Sequence, residues 1–237
     1  MNIIRFTTIN STNKYAQENL GNLADRTIIV SDEQTGGRGR LDRKWLSPAG
    51  VNIYCSIVLK NLTDKPALLT ILAALAAAET IRKYEIPAQL KWPNDVLVSG
   101  KKICGVLAAS TVGAAGTSGI VVGFGVNVNM NTELLKNIDQ PATSMFEVTG
   151  QKFDREKILD EILKNFFSFY EHVLASGFAS LLKIWQNELN IIGKKVQVKT
   201  VQKTFYGTVS QIDDGGALMV ETIQGREKVL AGDVHVV

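Results

Sequence analysis

The 237-residue sequence is poor in the residues that build metal centres and disulfide frameworks. It contains two cysteines, two histidines and five prolines. Cys55 and Cys104 each lie inside an apolar run, and no CxxC motif or Cys/His cluster occurs, so neither a zinc site nor a secreted disulfide scaffold is indicated. The N-terminus has no signal-peptide pattern, and the longest apolar run, within residues 66–78, is shorter than the roughly 20 residues of a membrane span. We therefore expect a reducing, cytoplasmic location and no membrane partner.

An excess of charge of one sign is also lacking. The chain has 26 basic and 23 acidic side chains, which give a formal net charge of +3. This balance is too small to indicate nucleic-acid binding by itself, so no nucleic-acid partner is expected. Hydrophobic residues make up 45% and charged residues 21% of the chain. These are ordinary globular values, and they exclude a disordered, collagen-like or coiled-coil protein.

The pattern of apolar residues predicts two domains. Helical spacing predicts helices over residues 11–20, 67–84, 154–175 and 178–189, and β-branched runs predict strands over 27–30, 51–59, 90–98, 103–109 and 120–128. After residue 190, short alternating runs are separated by turn signals at 213–216 and 224–225. We expect a main domain over 1–190 and a small β-barrel over 191–237 that packs against it, because a barrel of this size is marginal alone.

A segment rich in glycine and arginine, QTGGRGRLDRKW at residues 34–45, is the first candidate site. Glycines let backbone N–H groups turn toward a ligand and arginines supply planar cationic donors, so the segment suits a phosphate or carboxylate. It is not a P-loop, and Asp42 breaks a GxGxxG pattern. A solvated basic loop is the alternative interpretation.

Four shorter motifs accompany this loop: STN at 11–13, KWPND at 91–95, KKICGVL at 101–107 and GFGVNVN at 123–129. Each motif also has a purely structural interpretation. In the same order, these are a helix cap, a polar turn, a surface lysine at a strand end and tight sheet packing. Alternate glycines on a strand indicate close approach of a backbone or a ligand. Cys104 beside the lysines suggests a thiol nucleophile, but its apolar neighbours favour a buried, inert thiol.

In this order and spacing, the five motifs closely resemble those of the biotin protein ligases, and the resemblance covers almost the whole chain. It implies an α+β fold with a mixed, mostly antiparallel central sheet and flanking helices, the class II synthetase-like biotin ligase fold. A small C-terminal SH3-like β-barrel follows. Asp42 stands where many members carry glycine, which leaves the exact path of the loop open.

The resemblance implies an ATP-dependent ligase that uses biotin, ATP and Mg²⁺. Such enzymes form biotinyl-5′-AMP with release of pyrophosphate, and then transfer biotin to a lysine of the biotin carboxyl carrier protein or domain of acetyl-CoA carboxylase or a related carboxylase. A homodimer is possible. Because STN begins at residue 11, we expect no N-terminal DNA-binding domain and no repressor function.

The resemblance also assigns residues. The implied biotin-binding residues are Ser11, Thr12, Asn13, Gln34, Arg38, Gly39, Arg40 and Lys102. The implied ATP-binding residues are Arg40, Arg43, Lys91, Asn94, Asp95 and Asn127. Arg40, Lys102 and Asp95 are the implied catalytic residues, and Asp95 would hold Mg²⁺ or orient the incoming amine. Residues 36–45 are expected to be mobile without ligand and to close over the acyl-adenylate, which water would otherwise hydrolyse.

Two alternatives stay open. A lipoate or octanoate ligase or transferase has related chemistry, although those proteins lack the GRGR loop. A non-enzymatic biotin sensor would keep the neutral contacts at residues 11–13 and 34, but it would not need the charged catalytic residues Arg40, Lys102 and Asp95.

Overall fold

The computed structural model describes residues 2–60, 66–112 and 118–237, with Asp42 described by its backbone alone. In these residues a mixed seven-stranded sheet has helices on both faces, and a five-stranded antiparallel sheet follows it. The α+β class and the C-terminal β-structure predicted from the sequence are confirmed.

The first sheet contains β1 (Ile3–Ile9), β2 (Ile28–Gln34), β3 (Ile53–Leu59), β4 (Gln89–Lys91), β5 (Asp95–Val98), β6 (Lys101–Val112) and β7 (Ser118–Val126). Their spatial order is β1-β2-β3-β7-β6-β5-β4. β1 and β2 run parallel, and the other neighbouring pairs are antiparallel. The helices are α1 (Thr12–Glu18), α2 (Pro66–Arg82), α3 (Thr132–Leu135), α4 (Met145–Thr149), α5 (Arg155–Ser176) and α6 (Ala179–Leu189).

The two faces of this sheet bury different partners, because successive side chains on a strand point to opposite sides. Val122 and Phe124 of β7 belong to the main core, which α2 and α5 cover. Val121 points the other way, into a smaller apolar cluster that includes α1. On that same face β7 continues with Gly123 and Gly125, and the missing side chains leave a hollow beside α1.

The long helices follow their sequence patterns. Thirteen of the 17 residues of α2 are buried, as expected for a helix that is apolar nearly all round. The apolar stripe of α5 packs on α2, and the Asp154 side chain caps its start by accepting from the Glu156 and Lys157 N–H groups. Gly177 ends α5 in the left-handed region, with φ of 76°.

The single strand predicted over residues 90–98 is wrong. The structure has an antiparallel hairpin of β4 and β5, with the turn at Trp92, Pro93 and Asn94. Proline has no N–H to donate to a strand ladder, so the sequence that looked like one strand folds back on itself. The sequence analysis also did not predict β1, α3 or α4.

The second sheet contains β8 (Lys195–Lys199), β9 (Thr204–Ile212), β10 (Leu218–Thr222), β11 (Gly225–Val229) and β12 (Asp233–Val236), in the order β11-β10-β9-β8-β12. It packs on the first part through a continuous apolar core. Two hydrogen bonds fix the contact, from Trp92 Nε1 to Gly216 O (2.9 Å) and from Gln186 Nε2 to Ile212 O (3.0 Å). No helix in the described ranges is long and apolar enough to span a membrane.

Candidate active site

A cavity of about 360 Å³ opens on the α1 face of the first sheet, above Gly123 and Gly125. Its walls are the start of α1, the end of β2, the loop 38–46, the β4–β5 turn, β6 and the segment 137–142. The structure brings all but one of the predicted site residues together here: Ser11, Thr12, Asn13, Gln34, Arg38, Gly39, Arg40, Arg43, Asn94, Asp95, Lys102 and Asn127. Lys91 is the exception, because it lies on β4 outside the cavity lining.

One corner of the cavity is polar and uncharged. The Thr12 backbone N–H and hydroxyl both donate to Gln34 Oε1, at 2.9 and 3.2 Å. Gln34 Nε2 in turn donates to Ser47 Oγ at 3.1 Å. Ser11 caps α1, and its Oγ accepts from the Lys14 N–H at 3.4 Å. These bonds fix neutral donors and acceptors at one end of the cavity, which suits a ligand that is polar but uncharged there.

Asn13 is held against β7 at a position where only glycine fits. Ser56 Oγ donates to Asn13 Oδ1 at 2.7 Å, and Asn13 Nδ2 lies 3.5 Å from Leu107 O. A Cβ atom on Gly123 would stand 2.2 Å from Asn13 Oδ1. The first of the alternate glycines therefore makes room for a polar side chain of the site, whereas the motif predicted close approach of a backbone or a ligand.

Trp45 forms an aromatic wall over the second glycine of this strand. A Cβ atom on Gly125 would stand 2.4 Å from Trp45 Nε1, and one on Gly105 would stand 3.0 Å from Trp45 Cζ3. Lys102 Nζ lies 5.4 Å from the centre of the indole ring, within reach of a cation–π contact. Among the described residues, the buried Trp45 Nε1 has no hydrogen-bond acceptor.

Lys102 brings the first cation to the cavity. Its Nζ pairs with Asp95 Oδ1 at 2.6 Å, across the β5–β6 hairpin, and both side chains are about four-fifths buried. The Lys102 backbone also pairs with the segment that follows α3: its N–H donates to Pro141 O, and its carbonyl accepts from the Thr143 N–H, each at 2.9 Å. The position of the lysine is thus fixed at both its backbone and its charged end.

Arg40 is the second cation, at the start of a short 3₁₀ turn over Arg40–Asp42 in which Leu41 adopts a left-handed φ of 54°. Arg40 Nη1 donates to Asn94 Oδ1 at 3.1 Å. Asn94 is anchored to β6, since its Nδ2 donates to Val106 O and its carbonyl accepts from the Val106 N–H. Burial lowers the pKa of the Arg40 guanidinium below its usual value, an effect that the Asp95 carboxylate partly offsets.

Arg43 ties the loop to the C-terminal sheet. It donates two hydrogen bonds to Asp233, from Nη2 at 2.7 Å and from Nη1 at 3.3 Å. This contact holds the pKa of the Asp233 carboxyl below its usual range and raises the pKa of Arg43. The loop itself folds as a tight turn, in which the backbones of Arg38 and Lys44 form a bridge and the Gly39 N–H donates to Arg43 O at 2.8 Å. Its closure over a ligand remains a prediction.

Asn127 lines the cavity, but most of its amide is already engaged. Its Oδ1 accepts from Asn52 Nδ2 at 3.2 Å, and its Nδ2 donates to Thr143 O at 3.0 Å. The Asn127 amide can therefore bond to a nucleotide only through its second N–H and the second lone pair of Oδ1.

The two cysteines are not placed as nucleophiles. Cys55 and Cys104 are buried and unpaired with each other. Burial raises the pKa of the Cys104 thiol to about 12, and it raises that of Cys55 further. A thiol that stays protonated at neutral pH is a poor nucleophile, which agrees with the inert thiol expected from the sequence.

The described residues hold no group of three or more His, Cys, Asp or Glu side chains that could bind a metal by themselves. Asp95 is a single carboxylate, and its Oδ1 faces Lys102. One carboxylate fits Mg²⁺ only where the substrate's phosphates supply further oxygen ligands, which is how Mg²⁺ is commonly bound with nucleotides.

Several residues of the site were not predicted as site residues from the sequence. The segment 137–142 forms a wall of the cavity, and Ser47, Ser56 and Asp233 hold predicted site residues in place. Their partners lie between 13 and 190 residues away along the chain. The 137–142 segment pairs with Lys102 through backbone hydrogen bonds, and no periodic pattern in the sequence indicates that these two parts of the chain meet.

Comparison with known proteins matches both parts of the chain to families. Residues 5–127 match the biotin/lipoate A/B protein ligase family, and residues 191–237 match the biotin protein ligase C-terminal domain. The chain belongs to the biotin protein ligase family. The family and the fold class predicted from the motifs are thereby confirmed.

Individual relatives agree with this membership. The bifunctional ligase/repressor BirA of Bacillus spizizenii is 35% identical over 96% of this chain and 71% of its own length. The biotin–[acetyl-CoA-carboxylase] ligase of Paracoccus denitrificans is 31% identical over 94% of this chain and 96% of its own length. The biotin protein ligase from Aquifex aeolicus, solved in complex with biotin and ATP, superposes with a TM-score of 0.83 at 29% identity, over 100% of this chain and 98% of that one.

Proposed function

We propose that this chain is an ATP-dependent biotin–[acetyl-CoA-carboxylase] ligase that joins biotin to a lysine of a biotin carboxyl carrier protein or domain. The observation that carries the proposal is the division of one cavity into two halves. Thr12 and Gln34 form a fixed neutral corner, and Arg40 and Lys102 supply cations at the other side. Biotin has the matching form, with a neutral ureido ring at one end and a carboxylate at the other.

The first step brings two anions together. A biotin carboxylate oxygen attacks the α-phosphorus of ATP, the bond to the β-phosphate oxygen breaks, and pyrophosphate leaves. Arg40 and Lys102 reduce the repulsion between the carboxylate and the α-phosphate, and they stabilise the charge that develops on the phosphorus-bound oxygens. Arg43 faces the triphosphate, and Asn94 positions Arg40 through its hydrogen bond. Asn127 contacts the nucleotide. Lys91 lies outside the cavity lining, so it acts on the nucleotide through its charge and not through direct contact.

The second step consumes the mixed anhydride. The neutral amine of the acceptor lysine attacks the acyl carbon, AMP leaves with the electron pair of the broken C–O bond, and the amine loses a proton. Asp95 is the carboxylate beside the reacting centre that can orient this amine. It is also the residue that would hold Mg²⁺, which would neutralise phosphate charge when bound.

Neutral side chains position the biotin end. Ser11, Thr12, Asn13 and Gln34 form the contacts to the ureido ring, and Arg38 and Gly39 contact the ligand from the loop. We assign these roles because the residues line the cavity at the uncharged corner or close above it. Residues 36–45 close over the acyl-adenylate and exclude water from it.

The catalytic unit spans residues 1–190, and residues 191–237 form the C-terminal unit, which contributes Asp233 next to the loop. We propose action in the cytoplasm, where carboxylases are modified, on a protein acceptor rather than on nucleic acid, with a homodimer as one assembly state.

A lipoate or octanoate ligase or transferase is the second candidate. Of these, the octanoyl transferases use a cysteine–lysine pair, and Cys104, a buried thiol whose pKa is raised, does not suit that role. Isothermal titration of the chain with biotin and with lipoate distinguishes the two functions. Binding of lipoate without binding of biotin would reject our assignment.

The direct test is pyrophosphate release by the purified chain with MgATP, with and without biotin, followed by mass spectrometry of an added apo carrier domain. We expect biotin-dependent pyrophosphate release and one added biotin per carrier domain. Biotin binding without pyrophosphate release would instead indicate a sensor.

A further inference from the structure

Two buried side-chain amides connect the cavity to the interior of the first sheet. Asn52, just before β3, is 1% exposed, and Asn127, just after β7, is 2% exposed. The Val128 N–H donates to Asn52 Oδ1 at 2.9 Å, Asn52 Nδ2 donates to Asn127 Oδ1 at 3.2 Å, and Asn127 Nδ2 donates to Thr143 O at 3.0 Å. The three bonds form one continuous chain from the start of β3 to Thr143, the residue that follows the cavity wall 137–142.

The direction of this chain is fixed at both ends by the backbone. The Val128 N–H can only donate, so Asn52 must turn its oxygen toward it. The Thr143 carbonyl can only accept, so Asn127 must turn its NH₂ group toward that carbonyl. Asn52 Nδ2 then meets Asn127 Oδ1, as observed. An amide alone could be rotated by 180° at similar cost, but these two cannot, because either rotation would place donor against donor or acceptor against acceptor.

Asn127 also lines the cavity, and one N–H of its amide is used by Thr143. Within the described part of the chain, its second N–H has no recorded acceptor, while its oxygen is held by Asn52. The amide therefore keeps one N–H and one lone pair of Oδ1 for a bound molecule, in an orientation that Asn52 and Thr143 fix.

We propose that Asn52 is a positioning residue for the nucleotide: it fixes the orientation of the Asn127 amide, so that the hydrogen-bonding groups this amide has left can bond to ATP. The proposal rests on the ligase function proposed above. Asn52 is absent from the cavity lining, and its contact with a cavity-lining side chain is the bond to Asn127. Through the Thr143 bond the same chain also holds the segment beside Lys102, whose carbonyl accepts from the Thr143 N–H.

The test is the variant Asn52→Leu, which keeps the approximate volume and removes both bonds. Asn129→Leu is the matched control, because the Asn129 amide, like that of Asn52, accepts from one backbone N–H and donates to one oxygen. Both of its partners are backbone groups of Phe153 at 2.9 Å, and Asn129 lies outside the cavity lining. Both variants are expected to lower the thermal midpoint. Only Asn52→Leu should raise the KM for ATP, by about tenfold, with the KM for biotin changed less than about twofold. If Asn52→Leu does not fold, Asn52→Ser, whose hydroxyl is too short to reach Asn127, carries the same expectation.

A double variant separates positioning from a general loss of structure. If Asn52 acts through Asn127, adding Asn52→Leu to Asn127→Ala should change the KM for ATP less than about twofold. The proposal is overturned if the KM for ATP is unchanged in Asn52→Leu, if the KM values for biotin and ATP rise together, or if the effect is equally large without the Asn127 amide. Wild-type pyrophosphate release is measured first, because its absence would reject the ligase function and not the role of Asn52.

Discussion

Substitution of Gly123 by alanine should weaken biotin binding by displacing a side chain of the neutral corner. The added Cβ would lie 2.2 Å from Asn13 Oδ1, 2.6 Å from Asn13 Cγ and 2.6 Å from Asn13 Nδ2. Carbon atoms in proteins essentially never approach this closely, so the Asn13 amide must retreat by about 1 Å. Such a shift breaks its 2.7 Å hydrogen bond from Ser56 Oγ and removes the amide from its position beside the cavity.

The magnitude follows from the contacts at stake. One neutral hydrogen bond to a ligand contributes about 1–1.5 kcal/mol, so loss of the Asn13 contact should raise the Kd for biotin roughly tenfold. Isothermal titration of biotin without ATP measures this directly. The Kd for ATP should change little, because Asn13 lies in the neutral corner, away from Arg40 and Lys102.

Gly21→Ala is the control for the general effect of the substitution. A Cβ atom at Gly21 would have no heavy atom within 4 Å, so biotin affinity should remain that of the wild type. If Gly123→Ala bound biotin with the wild-type Kd, Asn13 would have no part in biotin binding, and our assignment of the neutral corner would be wrong at that residue.

Three other changes test the charged half of the site. Lys102→Ala should lower kcat/KM for pyrophosphate release by roughly two orders of magnitude, because one preorganised donor contributes about 2–4 kcal/mol to the transition state; a value close to wild type would mark Lys102 as a spectator. Asp95→Asn should lower kcat for biotin transfer. It should not raise the KM for biotin, because Lys102 loses its anionic partner but keeps its charge. An unchanged kcat in steady-state assays would exclude Asp95 from the chemistry. Asp233→Asn should cost less than about 1 kcal/mol at pH 7, because the ion pair with Arg43 is about half exposed. The pKa of Asp233 is lowered in the folded state, so this cost should be present above about pH 4 and should vanish as the pH falls below it. Urea denaturation of the wild type and the variant, at pH 7 and below about pH 4, measures the difference in their free energies of unfolding. A difference that grew with acidity would contradict the pairing.

Much of the fold could be predicted because its signals are local. The 3.6-residue periodicity and the Asp154 cap define α5, and an apolar run without charges defines α2. The hairpin of β4 and β5 was predicted as one strand because apolar residues stand on both sides of Pro93, at Leu90 and Val96, although the proline itself marks the turn. β1 was missed because its sequence, IIRFTTI, does not alternate strictly between polar and apolar residues.

The site divides in the same way between local and distant information. Short motifs place Thr12, Arg40 and Lys102 at strand or helix ends, and the topology then gathers these ends at one cavity. The residues that hold them, such as Ser47 and Asp233, act through hydrogen bonds to distant parts of the chain. A single sequence contains no periodicity that links such pairs, so they appear only when the fold is known.

Three of the cationic side chains that line the cavity, Lys102, Arg43 and Arg40, differ in how far the protein already compensates their charge, and this difference has a mechanistic consequence. Lys102 is paired with Asp95, and Arg43 is paired with Asp233, so a bound phosphate must compete with a carboxylate for either of them. Arg40 is different because its recorded hydrogen bond goes to the neutral Asn94 oxygen, while burial disfavours its charge enough to lower its pKa. A buried cation with a neutral partner gains most from an arriving anion. Arg40 should therefore bind the anionic ligand first, and the loop that carries it should close only when that anion is present.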